Sequence, residues 1–188
     1  ISCNYKARNE LEASRVAKAL AWANKAEQVR SWSAESWAGT KLVKGKILQA
    51  LGRTEDALWA VQEAYQVLVP GYQPSDYTDI PNWRAMEAIA YTLTLFPLQA
   101  VLLEQKASEM ADVALQQAAL STLQAADSAV TASRLSYQSP KSKELMSANS
   151  KSLYNALIGM HYRLYQKTGD AQHMNRAFLY MEKNKALS

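Results

Sequence analysis

Between Thr54 and Leu68 the apolar side chains fall at Ala57, Leu58, Val61, Ala64, Tyr65 and Leu68. Those positions form one continuous stripe along an α-helix. A stripe of that width needs an apolar partner, and the same periodicity recurs along most of the chain. Five prolines and six glycines in 188 residues leave few places to break a helix. Runs of Val, Ile and Thr of the strand type are scarce, while Ala, Leu, Gln, Glu and Lys dominate, residues that lose little side-chain freedom in a helix. The expected fold is therefore all-α.

The breaks divide the chain into about seven helices. The first is expected over Leu11–Arg30, with Val16, Ala19, Leu20, Ala23 and Ala26 as its apolar positions. Ser33 reads as the N-cap of a second helix that runs to Leu51, with Glu35 in its first turn. Gly52 suits the left-handed position after a helix end, and Thr54 reads as the next cap. Val69-Pro70-Gly71 opens a polar loop that lasts to Ile80. Pro81 fits the first turn of a fourth helix, which Pro97 is expected to kink or split. A break near Lys106-Ala107-Ser108 leads to a fifth helix that ends near Tyr137. Its Ala114, Ala118, Ala125, Ala129 and Ala132 form a candidate seam for close helix approach. Ser139-Pro140 reads as a cap and first turn. A sixth helix over Lys141–Lys167 carries Leu153, Ala156, Leu157, Met160 and Leu164 on one face. After Gly169-Asp170, a seventh holds Ala177, Phe178, Met181 and Ala186.

Composition narrows the function classes. The formal net charge of +4 combines a basic excess at both ends with an acidic excess over residues 71–137. Lys and Arg are dispersed along polar faces rather than gathered with aromatics in one stripe, so no nucleic-acid partner is expected. The apolar stretch Ala85–Leu103 contains Glu87, two threonines, Pro97 and Gln99, and reads as a buried core helix rather than a membrane span. A single cysteine, Cys3, excludes an internal disulfide framework. The chain begins at Ile1 with no leader pattern and ends at Ser188 within an amphipathic pattern, as a piece of a longer protein would. A cytoplasmic location is expected.

Internal self-similarity goes further. The segment KLVKGKILQALGRTEDALWAVQEAYQVLVP, from Lys41, carries Gly45, Gly52, Ala57 and Ala64, small residues of the kind that let two helices cross closely or, for glycine, the chain turn tightly. It resembles a tetratricopeptide repeat, with Pro70 one place late, Lys41 where that family usually has tryptophan, and Val61 where it usually has an aromatic. Ala19, Ala23 and Ala26 resemble the second helix of a preceding unit whose first helix is missing or frayed. The resemblance implies a right-handed solenoid of antiparallel helices in one domain over 1–188, regular over 11–70 and divergent, with long helices, over 79–188. The segment around Leu164-Tyr165-Gln166-Lys167-Thr168-Gly169-Asp170, with Ala177-Phe178 and Met181-Glu182-Lys183-Asn184-Lys185-Ala186, resembles the hairpin preceding the caspase-like domain of bacterial CHAT-type proteins. In that family the His/Cys dyad lies downstream. Tyr162 stands where a strict repeat has glycine.

No catalytic constellation is expected. His161 borders the apolar face of its helix and reads as a packed core histidine, while His173, in a first turn, reads as capping or exposed. Glu10 and Glu12 flank Leu11 and point to different sides. No Cys/His cluster has ligand spacing, and no cofactor or metal is expected. Binding is more plausible chemistry. The tetratricopeptide resemblance implies that the first helix of each pair lines a concave face; counted from the turn glycines Gly52 and Gly169, Lys46, Gln49, Arg163 and Gln166 should then face inward, where that family often holds peptides with basic and amide side chains. The full Lys/Asn clamp for a C-terminal carboxylate is not expected, since Leu42 occupies one of its inner positions. Two functions follow: a non-catalytic interaction scaffold acting as the regulatory arm of a larger protein with a caspase-like effector, or a freestanding peptide-binding adaptor. Apolar Leu179 and Leu187 on the last helix imply weak self-association through the C-terminal end.

Overall fold

The computed structural model describes residues 2–29, 33–86, 89–133 and 140–186. Among these residues there is no strand, and eight α-helices follow one another: α1 Cys3–Glu12, α2 Val16–Glu27, α3 Ala34–Ala50, α4 Thr54–Leu68, α5 Ile89–Met110, α6 Val113–Ser133, α7 Pro140–Thr168 and α8 Ala171–Lys185. A short 3-10 turn, Trp83–Ala85, precedes α5. The all-α expectation holds, with one helix more than expected.

The extra helix comes from the N-terminus. The single helix expected over Leu11–Arg30 is two, because Ser14 adopts a left-handed φ of 57° and turns the chain. Arg15, beside the turn, pairs with Glu10. α1 extends back to a Ser2 cap that accepts from the Tyr5 amide. Its sequence is polar and only Ala7 is buried, so periodicity carries little signal there. The helix expected to be missing before Ala19, Ala23 and Ala26 is thus present, and those three alanines are buried.

Elsewhere the boundaries follow local chemistry. Ser33 caps α3 through its side chain, as expected. α3 ends at Ala50, and Gly52 follows with a φ of 71° that is open to glycine without steric cost. The Arg53 amide then reaches back to the Leu48 carbonyl at 2.9 Å, closing the helix end. Thr54 is the first residue of α4 rather than its cap, and Arg53 caps without a side-chain bond. Asn82, not Pro81, starts the 3-10 turn, its side chain accepting from the Arg84 amide. Pro97 lies inside α5 without splitting it. α5 packs against α3, α4, α6 and α7, and that enclosure holds the helix together across the missing N–H. The next break falls at Ala111, left-handed at φ 54°, and Asp112 caps α6 by accepting from the Ala114 and Leu115 amides. Ser139 and Tyr137 lie outside the described residues.

Each helix packs chiefly on its neighbour in sequence, giving the pairs α1/α2, α3/α4, α5/α6 and α7/α8, and the odd-numbered helices also touch in succession from α1 to α7. All six stripe residues of α4 are buried in the main core. α3 is enclosed on two sides: Leu42 and Leu48 join that core, while Val43 and Ile47 join a smaller cluster with Ala7, Ala19 and Ala23. A Cβ added to Gly45 would lie 3.4 Å from Leu98 Cδ2 and 3.6 Å from the Ala57 carbonyl, so α3 closely approaches both α4 and α5 there.

Two expected faces are rotated. In α6 the fully buried alanines are Ala119, Ala126 and Ala129. Ala118 and Ala125 are partly buried, and Ala114 and Ala132 are exposed. On α8 the inward residues are Ala177 and Tyr180, whereas Phe178, Leu179 and Met181 face solvent. Tyr180 wins the inner position because its ring stacks on Tyr154 of α7 at a centroid distance of 6.0 Å. The α7 face is as expected: Leu153, Leu157, Met160 and Leu164 are buried, with Ala156 partly so. Leu187 lies outside the described residues.

Candidate functional site

Helices α3, α5 and α7 build one cleft together. α3 supplies Lys46 and Gln49, α5 supplies Leu93, Thr94, Pro97, Leu98 and Val101, and α7 supplies Ser152, around a cavity of about 290 Å³. Gly45 brings α3 and α5 close enough to form its floor. Pro97 shapes the wall: lacking an N–H, it cannot bond the Leu93 carbonyl, the acceptor four residues earlier. Lys46 is exposed and makes no ion pair among the described residues. Val101 is 39% exposed. The cleft thus offers one unpaired ammonium, one amide and an apolar floor, with no acidic residue lining it.

Of the four candidate binding residues, Lys46 and Gln49 line this cleft. Arg163 and Gln166 do not: both are exposed on α7, and Arg163 pairs with Glu104 of α5 at 2.5 Å. Turn-glycine counting placed them by analogy with α3, but the long α7 carries its C-terminal part past the point where α3 reaches the cleft.

Three polar clusters organise the surroundings, and only parts of them were visible in the sequence. The first anchors the loop 69–82. Gln62 Nε2 and Gln99 Nε2 both donate to the carbonyls of Tyr77 and Asp79, at 2.8–3.0 Å. The Tyr65 hydroxyl donates to Gln99 Oε1 at 3.0 Å, and the Tyr72 hydroxyl to Gln62 Oε1 at 2.8 Å. Burial, with Tyr72 nearby, pushes the Tyr65 hydroxyl well above its ordinary range. Two glutamines on apolar helices were the available signal, since a buried amide must find partners.

The second cluster centres on Lys41, the residue that stands where the repeat pattern expects tryptophan. Its ammonium is nearly buried and lies 2.5 Å from both Glu27 and Glu63, over the Trp37 ring. Burial works to lower its pKa, but the two carboxylates prevail and raise it. Glu27, also bonded by Lys44 at 2.7 Å, is held below its usual range although burial opposes the shift.

The third cluster joins α6, α7 and α8. His161 is 2% exposed, and its Nδ1 faces Nδ1 of His173 at 3.1 Å. The ring centroids are 5.3 Å apart, close to the value for two rings meeting head-on through a single N–H···N bond. His161 also stacks on Tyr180 at 5.7 Å. Lys183 crosses from α8 to Asp127 of α6 at 2.7 Å. Burial first, then the His173 and Arg176 charges, pull the His161 pKa down to about 4. Burial, with Asp127, raises the Tyr180 hydroxyl to about 12. His161 is therefore the core histidine expected, while His173 is half-buried and turned toward it rather than free in solvent.

Among the described residues no three His, Cys, Asp or Glu side chains gather to hold a metal ion, and no helix is long and apolar enough to cross a membrane. Cys3 is a free, half-buried thiol. No protein-family model, no curated protein and no solved structure matches the chain.

Proposed function

We propose that this chain is a non-catalytic protein–protein interaction module, a solenoid of tetratricopeptide-type antiparallel hairpins, whose concave surface takes an extended peptide segment. The observation that carries this reading is the packing order. Each helix pairs with its neighbour, and α1, α3, α5 and α7 touch in succession, so side chains from three of them converge on the cleft beside Lys46. An extended peptide fits such a surface because its backbone can use the amide and carbonyl groups while its side chains settle on the apolar floor.

In its fuller form the proposal makes the module the sensing arm of a larger protein with a caspase-like effector, on the strength of the C-terminal resemblance. A His/Cys-bearing α/β segment in the same reading frame is the prediction of that form. A frame without one leaves the freestanding adaptor. The binding claim is tested by placing a photo-cross-linking amino acid at Gln49 and, as a control, at the exposed Gln117 on α6. A discrete adduct formed from Gln49 but not from Gln117, and lost when Lys46→Glu is added, supports the proposal. Equal labelling from both positions removes it.

A further inference from the structure

A second groove lies between α7 and α8, away from the cleft. Its cavity of about 520 Å³ is lined by Lys151, Asn155 and Ile158 on α7 and by Met181, Asn184 and Lys185 on α8. The lining follows from helical spacing: 151, 155 and 158 share one face of α7, and 181, 184 and 185 one face of α8. His161 meets His173 and Asn155 meets Asn184, so the two helices run in opposite directions. Lys151 and Lys185 therefore gather at one end of the groove, and Ile158 and Met181 at the other.

The chemistry of the two ends differs. Asn184 Nδ2 donates to Asn155 Oδ1 at 2.8 Å, which leaves the Asn155 amide N–H group available. Asn184 Oδ1 is buried with no partner among the described residues, an acceptor that a peptide N–H can satisfy after a small shift. Lys151 makes no ion pair among the described residues. Among the described residues Lys185 pairs only with Glu182 one turn before it, both side chains being about 70% exposed. Such exposed pairs are weak and exchange readily for another carboxylate. Lys183 is turned away to Asp127 and does not compete. At the other end, Met181 is 41% exposed and Phe178, one turn earlier, is 58% exposed, so the apolar floor continues along the outer face of α8.

We propose that the α7/α8 groove is a docking surface for an acidic segment of a partner protein, with its carboxylates on Lys151 and Lys185 and an adjacent apolar side chain over Ile158 and Met181. The charge complementarity commits the occupant. Among the described residues Lys151 has no carboxylate partner and Lys185 has only the exposed Glu182, so an acidic segment finds two ammonium groups and an amide donor that a basic or neutral segment would leave unused. This groove is separate from the Lys46 cleft and does not depend on peptide binding there.

The test uses the 188-residue chain and labelled synthetic dodecamers in fluorescence anisotropy: one of repeating Asp-Leu-Gly, one with Asn for Asp, one with Lys for Asp. The Asp peptide should bind, with the Asn and Lys peptides at least about tenfold weaker and its own affinity falling as salt rises. Lys151→Glu and Lys185→Glu should each weaken it severalfold, as should Met181→Asp, with unchanged melting since all three positions are exposed. Gln117→Glu, on the exposed side of α6, should leave it unchanged. No binding of the Asp peptide, equal binding of the Asn peptide, or indifference to the two lysine reversals overturns the proposal. Loss on Lys46→Glu alone also overturns it, and would transfer the acidic ligand to the other cleft.

Discussion

Acidification tests the buried histidine pair. His161 is 2% exposed and faces His173 at 3.1 Å. One proton between the two Nδ1 atoms makes a bond, while a second sets two N–H groups against each other. The folded-state pKa of His161 is about 4 against an ordinary 6.5. The sign follows: below pH 6.5 the unfolded chain takes up a proton that the folded chain refuses until about pH 4. The stability tied to this residue is thus fully present above pH 6.5 and is lost as pH falls toward 4. A shift of that size corresponds to about 3 kcal/mol. The assay is urea unfolding, followed by helical circular dichroism from pH 7.5 to 4.0, on the wild type and on His161→Phe. Phenylalanine keeps a planar ring against Tyr180 and cannot titrate. Carboxylates contribute equally to both proteins and cancel in the difference. The stability gap between them should change by about 3 kcal/mol in favour of the variant between pH 7 and pH 4. Parallel pH profiles would mean that His161 titrates alike in the folded and unfolded chains and is not held neutral by burial.

Three further outcomes follow from packing and polar satisfaction. Ala126→Leu should destabilise by about 1–3 kcal/mol through overpacking, whereas Ala114→Leu on the exposed side of α6 should stay within about 0.5 kcal/mol in the same thermal melts. Gln99→Leu strips the Tyr65 hydroxyl of its acceptor and should cost about 1–3 kcal/mol, with amide exchange quickening across residues 72–80. Lys41→Ala leaves Glu27 partly buried beside Lys44 alone and should cost about 1–3 kcal/mol in denaturant titrations.

What the sequence made legible depended on how local each determinant is. The α4 stripe, the Ser33 cap and the Gly52 and Gly169 turns are set by spacing and backbone sterics within a few residues, and they appear where expected. α1 was invisible because its polar sequence buries one alanine. The turns at Ser14 and Ala111 use left-handed non-glycine residues, which no local rule marks. The rotation of α8 that buries Tyr180 and exposes Phe178 is decided by ring stacking on Tyr154, a contact across helices. For the same reason Lys46 and Gln49 were reachable by counting from Gly52, while the course of α7, which separates Arg163 and Gln166 from them, was not.

The proposed function requires that the cleft between α3, α5 and α7 bind a peptide. A random peptide library displayed on phage and selected on the immobilised chain, with the selected peptides then titrated calorimetrically, tests it most directly. The selected peptides should lose about tenfold or more in affinity on Lys46→Glu or Val101→Asp, both substitutions at exposed positions. Selection of no peptide, or of peptides that bind both variants as tightly as the wild type, would contradict it.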